Sequence, residues 1–341
     1  MARFPVGKLP AKVLARLLER YRLEDERVIV GARIGEDAAV IDMGDKYLVA
    51  KTDPITFATD LIGWYAVCIN ANDLATMGAT PRWFLATLLL PEGKTDEALA
   101  EGIFQEMHQA CRDFGISLVG GHTEITYDLN RPILVGQMLG EVEKDKLVTT
   151  GGAQVGDAIF LTKGIAIEAT AILAREKEAH LKEKGYSGTF LERAKGYLFH
   201  PGISVLKEAL LAQGTVPVHA MHDPTEGGLA MGLWELAQAA KVGLLIEGDG
   251  VVVLPECERL CTEFGLDPLG AIASGALIIA VSPEDGDKLK KALEREGIPC
   301  YLVGEVVPPE QGLKLRRGDR TFDLPLFTED EIAKVFTWKK L

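Results

Sequence analysis

The chain has 341 residues, a formal net charge of −13 and a hydrophobic fraction of 47%. That length fits two domains with cores of their own, and the acidic balance argues against a broad nucleic-acid surface, which needs a concentrated basic face. No run reaches the roughly 18 apolar residues of a membrane span, and five scattered cysteines (Cys68, Cys111, Cys257, Cys261 and Cys300) fit reduced thiols better than a disulfide framework.

The N-terminal stretch has no uninterrupted apolar core and no small-residue cleavage site. It does not read as a signal peptide, and a soluble, cytoplasmic protein is expected. From Ala11 the spacing predicts an amphipathic helix with Val13, Leu14, Leu17, Leu18 and Tyr21 on one face. "DAAVID" and "KYLVAKTD" read as two strands around the turn Met43-Gly44-Asp45-Lys46. A helix from about Leu61 to Met77 stops at Gly78 and Pro81, "RWFLATLLL" is a buried strand, and a second helix from Thr95 to Phe114 ends at Gly115. "ISLVGG" and "RPILVGQMLGEV" are further strands. The small-residue segment "TTGGAQVGD" marks a junction, which predicts domains at residues 1–150 and 151–341.

The second half restarts with the strand "AIFLTKG" and a helix, then a charged, solvated stretch from Arg175 to Lys184. A helix near Ile203 to Gln213, the segment "HAMHDPTEGGLAMGLWE", strands in "VGLLIEG", "SGALIIAV" and "CYLVGEVV", and a helix from Pro283 to Glu296 follow. The class is α+β in two domains, and the hairpins argue against a purely parallel sheet.

The chemistry gathers at four places. With Met43 to Lys46 as the turn, Asp42 faces Tyr47, so Asp37 falls opposite Thr52 and emerges with Asp53 at one end of the hairpin. Two carboxylates there can hold Mg²⁺, which takes oxygen ligands, or can merely cap turns. In "NANDLATMGATP", Asn70 and Asp73 are three residues apart and share a helical face that is otherwise apolar; a buried carboxylate is rare unless paired or metal-bound. In "VGGHTEIT", Gly120 and Gly121 precede His122, Thr123 and Glu124, a set that could bind a metal, position a phosphate or close a turn. In "HDPTEGG", Asp223 reads as a helix N-cap, Pro224 as the first helical residue and Glu226 as the capping-box partner, which leaves a helix N-terminus open to an anion. His219 and His222 are loosely spaced with no third ligand near, so zinc is not expected. Phosphate-loop, dinucleotide-binding, nucleophile-elbow and zinc-protease signatures do not occur.

"GEDAAVI", "TD", "NANDLATMGATP", "VGGHTE", "HDPTEGGLA" and "ASGALIIAV" occur in this order between about residues 30 and 305. Together they resemble the AIR synthase (PurM-like) superfamily, most closely its hydrogenase-maturation HypE branch. The resemblance implies an N-terminal sheet that forms a barrel across a homodimer, a C-terminal α/β sandwich, and ATP with Mg²⁺ as cofactors. Carried over by motif, Asp37, Asp53 and Asp73 would be metal and phosphate carboxylates, supported by Thr52 and Asn70. Gly120 and Gly121 would turn against the nucleotide beside Thr123, and Asp223 and Thr225 would serve it from the second domain. His122 and Glu124 stand where HypE-like members carry Asp-Thr-Lys, and would form a divergent catalytic pair: Glu124 could supply charge while His122 contacts phosphate or substrate.

The family frame implies activation of a carboxamide, carbonyl or phosphate-bearing substrate, small or protein-borne; the charge and hydropathy argue against a nucleic-acid or membrane partner. The chain departs from the branch in having no cysteine after Cys300 and Glu226 where HypE-type sequences tend to carry Arg. A non-catalytic nucleotide-binding paralogue in a maturation complex, or a thiamine-monophosphate kinase-like enzyme, are the alternatives.

Overall fold

A computed structural model describes the chain apart from residues 1–3, 5–8, 22, 33–35, 56–57, 59 and 338–341. Gly35, the first residue of "GEDAAVI", and the terminal residues from Trp338 therefore lie outside the described part. The chain divides into two compact units: residues 26–31 with 37–147, and residues 148–341 with the described parts of 1–25 and 32–36. The expected amphipathic helix is present as α1 (Ala11–Arg20) and is assigned to the second of these units.

The first unit is a six-stranded mixed sheet of β1 (Val28–Val30), β2 (Ala39–Asp42), β3 (Lys46–Ile55), β4 (Thr80–Pro91), β5 (Ser117–Thr126) and β6 (Ile133–Glu143). The order is β1-β2-β3-β6-β4-β5, with β4 and β5 parallel and the other pairs antiparallel. The expected hairpin register is present: Asp42 faces Tyr47 and Ala39 faces Ala50.

Two helices belong to this unit, α2 (Ile62–Thr76) and α3 (Glu97–Phe114). Asp96 caps α3 by accepting the Leu99 N–H, and Gly115 ends it at φ 68°. All of α2 is buried, as expected of a helix that is apolar nearly all round. It packs against β3, β4 and β6. Two glycines of β6 make that approach possible: a Cβ on Gly136 would lie 2.4 Å from Asn70 Nδ2, and one on Gly140 would lie 2.7 Å from Leu74 Cδ2.

The second unit holds a seven-stranded sheet of β7 (Ala158–Thr162), β8 (Val218–His222), β9 (Gly243–Glu247), β10 (Ile278–Val281), β11 (Cys300–Val307), β12 (Leu313–Arg317) and β13 (Arg320–Asp323). Its order is β13-β12-β9-β11-β7-β10-β8, antiparallel except for β9 with β12. Its helices are α4 (Ile167–Glu176), α5 (Glu178–Glu183), α6 (Gly188–Gly196), α7 (Leu206–Thr215), α8 (Gly228–Ala240), α9 (Pro255–Phe264), α10 (Pro283–Arg295) and α11 (Ala333–Thr337). Ile159, Leu161 and Ile278 from the sheet meet Leu229, Leu233 and Leu236 from α8 in one apolar core. Cys257 and Cys261 are buried on α9, and all five cysteines are free thiols inside the fold. No helix among the described residues is long and apolar enough to cross a membrane.

Candidate functional site

The site of the first unit is built where β3 passes α2. Alternation along β3 puts Lys51 and Asp53 on one face and Thr52 on the other. Asn70, buried on α2, fixes the strand by accepting the Asp53 N–H at 3.0 Å through Oδ1. Its Nδ2 donates back to the Ala66 carbonyl at 2.8 Å. One turn further along α2, the Asp73 side chain is 5% exposed, and the carboxylates of Asp37 and Asp73 offer oxygens within 4.8 Å of each other. Thr76 Oγ1 lies 2.7 Å from the Asp73 carbonyl and 3.1 Å from Asp37 Oδ2, so its proton ties Asp37 to the end of the helix.

Lys51 is the residue that the carboxylate pattern did not single out. Its Nζ lies 3.1 Å from Asp73 Oδ2 and 3.3 Å from Asp53 Oδ2. Burial alone would lower its proton affinity, but Asp73, Asp53 and Asp37 outweigh that and raise it well above the usual lysine range. The strand period that groups Lys51 with Asp53 is a signal that could have found it. Three carboxylates and a threonine hydroxyl form an all-oxygen donor set, the kind Mg²⁺ takes, and the Lys51 ammonium is a stand-in cation at that place. The residues therefore fit the metal.

Several expected roles are corrected. Thr52 does not support the carboxylates; it is exposed on the opposite face and its Oγ1 donates to the Gly136 carbonyl at 2.8 Å. Gly120 and Gly121 do not form a turn. They lie inside β5, where Gly120 pairs with Leu85, Gly121 with Ala86 and His122 with Thr87. A Cβ on Gly121 would lie 1.9 Å from the Ala86 carbonyl oxygen, so glycine serves the close approach to β4.

His122 and Glu124 are two apart on this edge strand and therefore neighbours, with His122 Nε2 2.9 Å from Glu124 Oε2, both exposed. Thr123 is exposed beside them. Strands β6 and β4 separate β5 from β3, about 14 Å at the usual strand spacing. Glu124 thus does not complete the Asp37–Asp53–Asp73 set within one chain.

In the second unit, Asp223 follows β8 and is buried, and Thr225 is half-buried. The capping box is absent. Thr225 to Gly228 make a turn closed by the Gly228 N–H on the Thr225 carbonyl, Gly227 and Gly228 take φ of 82° and 65°, and α8 starts only at Gly228 with no side-chain cap. What holds the turn comes from far along the chain. Asp330 Oδ2 accepts the Gly227 N–H at 2.7 Å, and Asp330 Oδ1 accepts those of Ile332 at 3.0 Å and Ile272 at 3.2 Å. The two histidines of "HAMH" point to opposite faces of β8, as a three-residue spacing on a strand dictates. His219 Nδ1 meets Asp157 Oδ1 at 2.8 Å and His222 Nε2 meets Glu235 Oε2 at 3.0 Å.

A two-unit fold with this carboxylate cluster beside the first buried helix defines a class of proteins, and comparison with known proteins agrees with it. Residues 35–142 match the AIR synthase related protein, N-terminal domain, and residues 154–315 match the AIR synthase related protein, C-terminal domain. A protein of Methanocaldococcus jannaschii named for hydrogenase expression and formation is 30% identical over 92% of this chain and 94% of its own length. The carbamoyl dehydratase HypE of Rhodobacter capsulatus is 29% identical over 88% of this chain and 85% of its own. A solved hydrogenase maturation protein HypE in complex with ATP superposes with a TM-score of 0.66 at 20% identity, covering 95% of this chain and 96% of that one. The chain belongs to the AIR synthase related family, with the two-domain α+β fold of that family.

Proposed function

We propose that this protein is a HypE-like, ATP- and Mg²⁺-dependent enzyme that phosphorylates, and so activates, a carboxamide, carbonyl or phosphate-bearing group. The observation that carries the reading is the meeting of Asp37 and Asp73 carboxylates within 4.8 Å, with Asp53 joined to Asp73 through Lys51, in a chain whose relatives include a carbamoyl dehydratase. Asp37, Asp53 and Asp73 would hold Mg²⁺. Bound there, the ion would neutralise phosphate charge as it develops during transfer.

The chain's own residues prepare that place. Asn70 fixes the backbone at Asp53, Thr76 fixes Asp37, and burial of Asp73 excludes water and so strengthens its attraction for a cation. Phosphoryl transfer to an amide-type oxygen makes that oxygen leave as phosphate, which accounts for a dehydratase among the relatives. In the second unit, Asp223 and Thr225 are the proposed nucleotide contacts. On β5, Gly120, Gly121 and Thr123 would line the approach, and the exposed His122–Glu124 pair would serve substrate rather than metal. The open edge of β5 also fits the homodimer that the family pattern implies.

Titration calorimetry with ATP, with and without Mg²⁺, tests the reading. Wild type should bind in a Mg²⁺-dependent way, and Asp73→Ala should abolish that binding while keeping the wild-type circular dichroism. Unchanged affinity in Asp73→Ala would remove the cluster from the nucleotide site. The ion pairs of Lys51 with Asp53 and Asp73 favour a second reading, a paralogue that binds nucleotide or a protein partner without turnover. Release of phosphate from ATP in the presence of a carboxamide substrate separates the two.

A further inference from the structure

Lys51 occupies the place where the proposed metal would sit. Its ammonium touches Asp53 Oδ2 at 3.3 Å and Asp73 Oδ2 at 3.1 Å, and a divalent ion bound to the same oxygens would lie about 2.1 Å from each. Both cations cannot hold those oxygens together. The lysine backbone is locked by sheet pairing with Met138 on β6, but the four-carbon stem is flexible and the side chain is 22% exposed. The ammonium can therefore leave while the strand stays.

We propose that Lys51 is the resident cation of the Asp37–Asp53–Asp73 cluster, holding its carboxylates in the metal-free protein and yielding them only when a divalent ion arrives. The inference rests on the reading that these carboxylates take a metal, and goes beyond it. Three carboxylates in one half-buried place repel one another, and the ammonium offsets that repulsion in the absence of metal. A metal arriving alone must displace a charge-matched ligand and leave it beside its own positive charge. A metal arriving with phosphates brings an anion to which the displaced ammonium can turn. Lys51 thereby couples metal binding to nucleotide binding, and by reciprocity each tightens the other.

The test is a nucleotide-free titration with Mn²⁺, followed by electron paramagnetic resonance, on wild type, Lys51→Met and Lys51→Gln. The glutamine variant keeps a polar end without charge and serves if the methionine variant does not fold. Removing a like charge a few ångströms from the ion should tighten Mn²⁺ by about tenfold or more. In parallel, both variants should melt below wild type in chelator and recover on adding Mn²⁺, whereas the wild-type melting temperature should hardly respond. A β,γ-methylene analogue of ATP should then tighten Mn²⁺ in wild type far more than in the variants. Equal Mn²⁺ affinity in all three proteins, with no metal rescue of the melting temperature, would make Lys51 an ordinary structural ion pair and overturn the inference while leaving the metal site standing. Absence of Mn²⁺ binding in every protein, with or without the analogue, would overturn the metal reading and this inference with it.

Discussion

Glu168 shows what a single buried charge does to this chain. It lies in the first turn of α4 and is buried. Burial lifts its carboxyl to about 7; the nearby Ser274 hydroxyl opposes the rise, and the charges of Asp330 and Glu226 add to it. Unfolded, the same group titrates near its ordinary value of 4.5. The protonated form is therefore the one that folding favours. Its stabilisation is complete below about pH 4.5 and is lost as pH rises through about 7. Glu168→Gln stays neutral at every pH and keeps the shape. Its denaturant midpoint should match wild type near pH 4.5 and exceed it near pH 8, by at most about 3 kcal/mol in stability. Asp330, raised to about 6 by its own burial, acts in the same direction and is present in both proteins. A difference that does not grow with pH would show that the fold does not raise the Glu168 carboxyl above its ordinary value.

Helix α2 and strand β6 carry the next lesson, because the site depends on how closely they approach. Gly136 faces Asp53 across the sheet and lies under Asn70. A methyl group there would meet Asn70 Nδ2, Phe84 Cε2 at 2.9 Å and the Ala66 carbonyl at 3.1 Å. Gly136→Ala should cost about 1–3 kcal/mol by overpacking and should loosen the Asn70 bond that positions Asp53. A urea midpoint and the Mn²⁺ affinity measured on one preparation would check both effects, and an unchanged midpoint would show that helix and sheet separate freely. Much of this was legible in the sequence. The four-residue turn at Met43 fixes the hairpin register by counting, and the three-residue spacing of Asn70 and Asp73 gives their common face. What local pattern could not show is tertiary. The signals of an N-cap in "DPTE" are real, yet Gly227 gives its N–H to Asp330, 103 residues away, and the helix starts later. The glycines of "VGGHTE" read as a turn because glycine serves turns, but here Gly121 makes room for the Ala86 carbonyl of a parallel neighbour. Lys51 carries no local motif of its own: only the strand period groups it with Asp53, and its pairing with Asp73 is tertiary.

The chain as a whole carries a net charge of −13 and ends its first sheet in an uncovered strand. Nearly all of β5 is exposed, and Val119, Ile125 and, just beyond it, Tyr127 stand 53%, 60% and 75% open. An edge of this length with apolar side chains is a template for a second strand, and nothing in its sequence blunts it with proline or lysine. Two forces then compete in self-association. Apolar burial and strand pairing favour a dimer, while two chains of like charge repel at long range. Added salt screens the repulsion within about 10 Å at 0.1 M and hardly weakens apolar burial. Sedimentation equilibrium at micromolar protein should therefore give twice the 37.0 kDa chain mass, and the association should tighten as salt rises. Ile125→Lys, which places a charge on the edge strand, should return the protein to one chain mass without lowering its melting temperature. A wild-type monomer at every salt concentration would leave β5 as a solvated edge and would end the dimer reading; a dimer that weakens with salt would mean that ion pairs, rather than the apolar edge, hold the two copies together.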